Sequence, residues 1–149
     1  MLLKSICNPD VVVCGPETSV VAAASIMRQR HVGALVVVDE PEGSKVPLGI
    51  ITDRDIVVEV LGNGLDPAKT RVHALLRRPV VIAHDGEEGT EVLERMRVHG
   101  VRRIPVVGSH QRLVGIITLD DVVKLIAAST RALVEIIDRE QGHEHQSRR

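Results

Sequence analysis

Phenylalanine, tyrosine and tryptophan are all absent from the 149 residues. Platforms that stack nucleic-acid bases on aromatic rings are thereby excluded. The core has to be filled by Val, Ile, Leu and Ala, which suits short strands buried on both faces. An excess of either charge is also missing. Nineteen Lys and Arg stand against 20 Asp and Glu, interspersed, for a net charge of −1. That leaves neither the basic footprint of a nucleic-acid binder nor a polybasic membrane anchor. No apolar run approaches the ~18 residues needed to span a bilayer. The opening "MLLKSICNPD" lacks the apolar stretch of a signal peptide, so the chain reads as cytoplasmic.

Metal and catalytic signatures are lacking as well. Cys7 and Cys14 form no C-x-x-C pair and read as buried or incidental thiols in a reducing compartment. His31, His73, His84, His99 and His110 have no ligand spacing, and His143-x-His145 lies in a tail expected to fray. No Ser-His-Asp set, catalytic carboxylate pair or Gly-rich phosphate loop is present. The chain therefore reads as a non-enzyme without a required cofactor or metal.

What the chain does have is repetition. A shift of 69 lays residues 10–38 on residues 79–107, with Met27-Arg28 on Met96-Arg97 and Val37-Val38 on Val106-Val107. After a shorter connection the offset becomes 66, and "LGIITDRDIV" meets "VGIITLDDVV". Each unit opens with a β-branched run (Val11–Val13; Val80–Ile82) and a turn signal, and continues into an amphipathic helix. In the first unit Val20, Ala23, Ala24 and Met27 hold core spacing, matched by Val92, Leu93 and Met96. Strands follow at Ala34–Val38 and Arg103–Val107, then a polar hairpin, a strand ending at Ile51 or Ile117, and a second helix after Thr52 or Thr118. The expected fold is α/β (α+β): two β-α-β-β-α units around a pseudo-twofold axis, sharing one core. Residues 1–62 are the first repeat with its N-terminal segment, 63–70 a linker, 71–128 the second repeat, and 129–149 a C-terminal helix and tail. A helix break is expected near Ser129-Thr130.

The repeated corner is Thr-x-x-Asp: Thr52 with Asp55, and Thr118 with Asp121. One reading is a capping box, with Asp one methylene shorter than the usual Glu. The other uses the helix N-terminus and the Thr hydroxyl for a phosphate, and the aspartate for two ribose hydroxyls. On the second reading Gly49 and Gly115 let a ligand come close to the backbone.

The doubled pattern, "GIITDRD" and "GIITLDD", "VRRIPVV" at 101–107 and "VGALVVV" at 32–38 together resemble a tandem pair of cystathionine-β-synthase (CBS) domains, the Bateman module. "TDRDIVVEVLGNGLDP" is similar to stand-alone bacterial CBS-pair proteins of the hypoxic-response type. The resemblance covers nearly the whole chain. It implies a regulatory module that binds AMP, ADP or ATP between the repeats and signals in trans to a protein partner. It also implies two clefts. One joins Thr52 and Asp55 to Val81, Ile82, Arg102, Arg103, Ile104 and Pro105. The other joins Thr118 and Asp121 to Val12, Val13, Gly33, Ala34 and Leu35, with Arg54 leaning toward it. With Arg102 and Arg103 on its wall, the first cleft is expected to hold a phosphorylated nucleotide more tightly. Apolar positions on more than one side of two helices (Ala22, Ala23, Ala24, Ile26; Val122, Val123, Leu125, Ile126) predict a homodimer. The competing reading is a dimeric scaffold whose corners are only helix caps. Neither reading involves nucleic acid or membrane.

Overall fold

The structure is a computed structural model that describes residues 1–40 and 43–147, with side chains to 141. The His143-x-His145 pair lies outside the described side chains. Two three-stranded sheets form, in the orders β1-β2-β3 and β4-β5-β6. The elements are β1 (Val13–Cys14), α1 (Val20–Arg30), β2 (Ala34–Asp39), β3 (Val46–Thr52) and α2 (Asp53–Asp55), which runs on as a π-helical stretch (Ile56–Leu61). Their counterparts are β4 (Ala83–His84), α3 (Gly89–His99), β5 (Arg103–Val107), β6 (Leu113–Thr118) and α4 (Leu119–Ser147). This is the expected mixed α/β fold, with its duplication intact in three dimensions. Even the irregularities repeat: β2 is bulged between Val37 and Val38, and β5 between Val106 and Val107.

Local chemistry sets the helix ends. Ser19 caps α1 by accepting the Ala22 amide, and Glu88 with Glu91 closes a capping box on α3. Both helices end in a left-handed residue, Gly100 in the second repeat and His31 (φ 54°) in the first. Glycine carries no steric penalty there, whereas His31 does.

Several expectations are corrected. The strands expected at Val11–Val13 and Val80–Ile82 pair only at Val13–Cys14 and Ala83–His84. A β-branched run signals extended backbone, but pairing begins only where β2 or β5 lies alongside. Ala24, expected inside, is exposed, and α1 buries Val20, Ala23 and Met27. No break occurs near Ser129-Thr130, because α4 continues to Ser147. The Ser129 and Thr130 hydroxyls donate to the Leu125 and Ile126 carbonyls one turn back, which keeps both residues helical.

The largest difference is in the core. The buried aliphatics form two clusters, not one, and each is closed by a segment from the other end of the repeat pattern. A 3-10 turn at Leu3–Ser5 puts Leu3 among Val92, Met96, Ile104 and Ile117 of the second repeat. Its counterpart at Val72–Leu75 puts Val72 among Val20, Ala23 and Ile51 of the first. The 69-residue offset thus extends back to residue 2. Leu2 bridges Glu88 and Arg71 bridges Ser19, each pair related to the other by that shift. The two repeats exchange their opening turns.

Candidate functional site

The repeated corners form in the same way. The Asp55 amide donates to Thr52 Oγ1 (3.1 Å), and Asp55 Oδ2 accepts the Thr52 amide (2.9 Å). In the second copy the Asp121 amide donates to Thr118 Oγ1 (3.2 Å), and Asp121 Oδ2 accepts both the Thr118 amide (2.9 Å) and its hydroxyl (2.7 Å). The shorter aspartate therefore does close a capping box. Among the described residues each carboxylate keeps Oδ1 for a second partner, so capping and ligand binding are compatible uses of one side chain.

Gly49 and Gly115 make room for the exchanged segments, and Gly49 also lines one of the cavities between the repeats. A Cβ on Gly49 would come 2.9 Å from Leu76 Cδ2, and one on Gly115 would come 2.6 Å from Cys7 Sγ. Leu76 and Cys7 are themselves 69 apart, so both glycines let the crossing strand pass close over the sheet. Burial raises the pKa of the Cys7 and Cys14 thiols above the usual cysteine range.

Two cavities lie between the repeats. The smaller, about 100 Å³, is lined by Gly49, Ile50, Asp55, Arg77, Pro79, Val80, Val81, Val101 and Arg103. The larger, about 220 Å³, is lined by Asn8, Asp10, Val11, Val12, Val32, Gly33, Ala34, Val36, Arg103, Ile116 and Thr118. They are one site built twice: Val80 and Val81 match Val11 and Val12, Val101 matches Val32, and Ile50 matches Ile116.

The residues singled out in the sequence divide among these surroundings. In the first cleft Asp55, Val81 and Arg103 meet on the cavity wall, and Thr52 stands behind Asp55 through the box. Ile82 is half-buried, while Ile104 and Pro105 are buried in β5. In the second cleft Thr118, Val12, Gly33 and Ala34 line the cavity, with Asp121 bonded to Thr118. Val13 pairs with Val36, Leu35 sits in the first core cluster, and exposed Arg54 lines neither cavity.

Arg102 is placed elsewhere. It stands 3.9 Å from Asp120, beside Thr118 and Leu119, and does not line the Asp55 cavity. Its carbonyl accepts the Leu119 amide (2.8 Å), which pins it at the start of α4, just ahead of β5. Sequence reasoning missed Arg77, Asn8 and Asp10. The 69-residue shift, run back past residue 10, already sets Asn8 on Arg77.

The Val80–Ile82 wall is held by Arg95. Its guanidinium donates to the Ile82 carbonyl (2.7 Å) and to Glu87 Oε2 (2.6 Å). Burial raises the Glu87 carboxyl, but the Arg95 bonds and the His84 amide outweigh it and hold its pKa below the ordinary value of 4.5. A depressed carboxylate stabilises the fold above its unfolded pKa, and that stability is lost as pH falls through the folded pKa. Urea unfolding followed downward from pH 4.5 should show this acid loss, and Glu87→Gln should flatten it.

Two β-α-β-β-α units, exchanged opening turns and a paired inter-repeat cavity define a tandem-repeat module. The family model described as CBS domain matches residues 3–62 and 72–128. The chain belongs to the CBS-domain family. It is 36% identical over 121 residues to hypoxic response protein 1 of Mycobacterium tuberculosis, covering 81% of this chain and 82% of that one. A hypoxic response protein crystal structure with two coordinated zinc ions superposes with a TM-score of 0.72 at 34% identity, over 83% of this chain and 98% of that one. A CBS-domain pair in complex with 5′-methylthioadenosine and S-adenosyl-L-methionine gives a TM-score of 0.75 at 28% identity, over 87% of this chain and 98% of that one. A Methanopyrus kandleri protein is 32% identical over 116 residues, 78% of this chain but 58% of its own length. Among the described residues no cluster of three or more His, Cys, Asp or Glu is placed to hold a metal, and no helix is long and apolar enough to cross a membrane.

Proposed function

We propose that this chain is a regulatory CBS pair that binds adenosine nucleotides (AMP, ADP or ATP) between its repeats and signals in trans to a protein partner. It acts in the cytoplasm as a homodimer, without catalysis and without a required cofactor. The observation that carries the reading is the duplicated cavity. Each copy sets one residue of a Thr–x–x–Asp corner, Asp55 or Thr118, against the aliphatic wall of the other repeat, and we assign the two aspartates to ribose. An aliphatic wall is a surface on which a purine can lie without aromatic partners. The adenosine-type ligands of a similar CBS pair support the same class.

The test is direct. With no aromatic residue in the chain, released nucleotide is read near 260 nm over almost no protein absorbance. Acid extraction of purified protein should yield an absorbing nucleotide. AMP at ~100 times its Kd should stabilise the fold by about 2.7 kcal/mol, a clear rise in Tm. An unmoved melting curve with millimolar AMP, ADP and ATP rejects the proposal. That outcome favours the scaffold reading, for which the evidence is that both capping boxes are complete within the chain.

A further inference from the structure

Seven lining positions match between the two cavities, and at three of them the charge differs. At three matched positions the Asp55 cavity has Arg77, Pro79 and Arg103, where the first-repeat segments have Asn8, Asp10 and Ala34. Arg103 reaches the wall of both cavities, so it does not separate them. Arg77 against Asn8, and Pro79 against Asp10, do. The Asp55 cavity thus carries two guanidiniums against one carboxylate. The Thr118 cavity carries one guanidinium against Asp10, with the Asp121 carboxylate behind Thr118. Asp10 lies 3.7 Å from exposed Arg30, which screens part of its charge without removing it from the wall. Arg102 adds no net charge beside Thr118, because Asp120 stands 3.9 Å away.

From this arrangement we infer that the clefts sort adenosine ligands by charge. The Asp55 cleft takes a phosphorylated nucleoside, and the Thr118 cleft takes an uncharged or cationic one. The inference rests on the nucleotide reading and deepens it. Two guanidinium forks meet a phosphate dianion with charge-assisted bonds and have nothing comparable to offer a neutral 5′ group. Asp10, whose counterpart in the Asp55 cleft is Pro79, repels a phosphate, while it is indifferent to a 5′-hydroxyl or thioether and attracts a 5′-sulfonium. The larger cavity also leaves room for a bulkier 5′ substituent. One module would then read two chemically different adenosine compounds at once, with a single Arg103 between them.

Calorimetric titration with AMP and with adenosine separates the outcomes. Asp55→Ala should weaken AMP binding about tenfold more than Asp121→Ala does. With adenosine that gap should close or reverse. Arg77→Asn, which copies the other cleft, should cost AMP about tenfold more than it costs adenosine. Asn8→Arg should strengthen AMP in the Asp55→Ala background. Equal AMP losses in the two aspartate variants, or equal AMP and adenosine losses for Arg77→Asn, overturn the charge sorting and leave nucleotide binding intact. Failure of both AMP and adenosine to bind the unaltered protein overturns the sorting and the nucleotide reading together.

Discussion

Leu3→Ala is expected to destabilise the protein by about 2–5 kcal/mol, the cost of a cavity at a fully buried leucine. At roughly 3 °C per kcal/mol for a chain of this size, the drop in Tm is large. A residue so near a chain end normally frays and tolerates change. Leu3 does not, because its side chain is fully buried in the cluster of Val92, Met96, Ile104 and Ile117. Its turn is tied down by backbone bonds, with the Leu3 amide donating to the Glu87 carbonyl (2.9 Å) and the Asn8 amide to the Ile116 carbonyl (2.9 Å). The damage should appear in the second repeat, although the substitution lies in the segment preceding the first. Amide exchange should quicken in β5 and β6 before β2 and β3. Val72→Ala should do the reverse at lower cost, because it removes two carbons where Leu3→Ala removes three. Urea unfolding combined with hydrogen exchange checks both. A Leu3→Ala loss under ~0.5 kcal/mol, ordinary for a surface site, would show that the opening turn is not part of the core.

This exchange marks where sequence reasoning stopped. Both cavities could be assembled from the repeated corner, the β-branched runs and the "VGALVVV" and "VRRIPVV" strands, because these hold identical or similar residues at a fixed shift. The opening turns share only apolar character, with Leu3 on Val72, Ile6 on Leu75 and Cys7 on Leu76, so their equivalence was hidden. Arg77 was missed for the same reason, since it follows the second turn as Asn8 follows the first. Arg102 and Arg103 are adjacent in the sequence, but only Arg103 lines the Asp55 cavity. Ser129-Thr130 suggested a break because hydroxyl residues compete for backbone bonds. In α4 their hydroxyls instead join the helix ladder through the carbonyls one turn back.

Substituting Glu at both Leu133 and Ile137 should turn a dimer into a monomer. α4 is 29 residues long, about 43 Å, and turns Val122 inward while leaving a second face bare. That face carries Leu119, Val123, Ile126, Thr130, Leu133 and Ile137, in steps of four, three, four, three and four. The spacing reads the same in both directions about Ala128, so an antiparallel pair with its twofold there sets Val123 against Leu133, Ile126 against Thr130, and Leu119 against Ile137. Val123 is 54% exposed, Ile126 51%, Leu133 62% and Ile137 52%, more contiguous apolar surface than a solvated helix face carries. Beside Leu119 an apolar groove of about 550 Å³, walled by Leu93, Met96 and Val101, stands open where the partner's α4 would end. Light scattering at micromolar concentration should give twice the 16.2 kDa chain mass for the unaltered protein and the single mass for the double variant. Both positions are exposed, so circular dichroism should be unchanged. Mild oxidation should crosslink the Ile126→Cys/Thr130→Cys variant to its own copy, because the antiparallel register sets these two positions opposite each other, and leave Arg139→Cys uncrosslinked, since that register holds the two 139 positions far apart. Leu61→Glu, on the other bare apolar face, should leave the dimer whole. A double variant that keeps the dimer mass, or a dimer split by Leu61→Glu alone, moves the interface off α4.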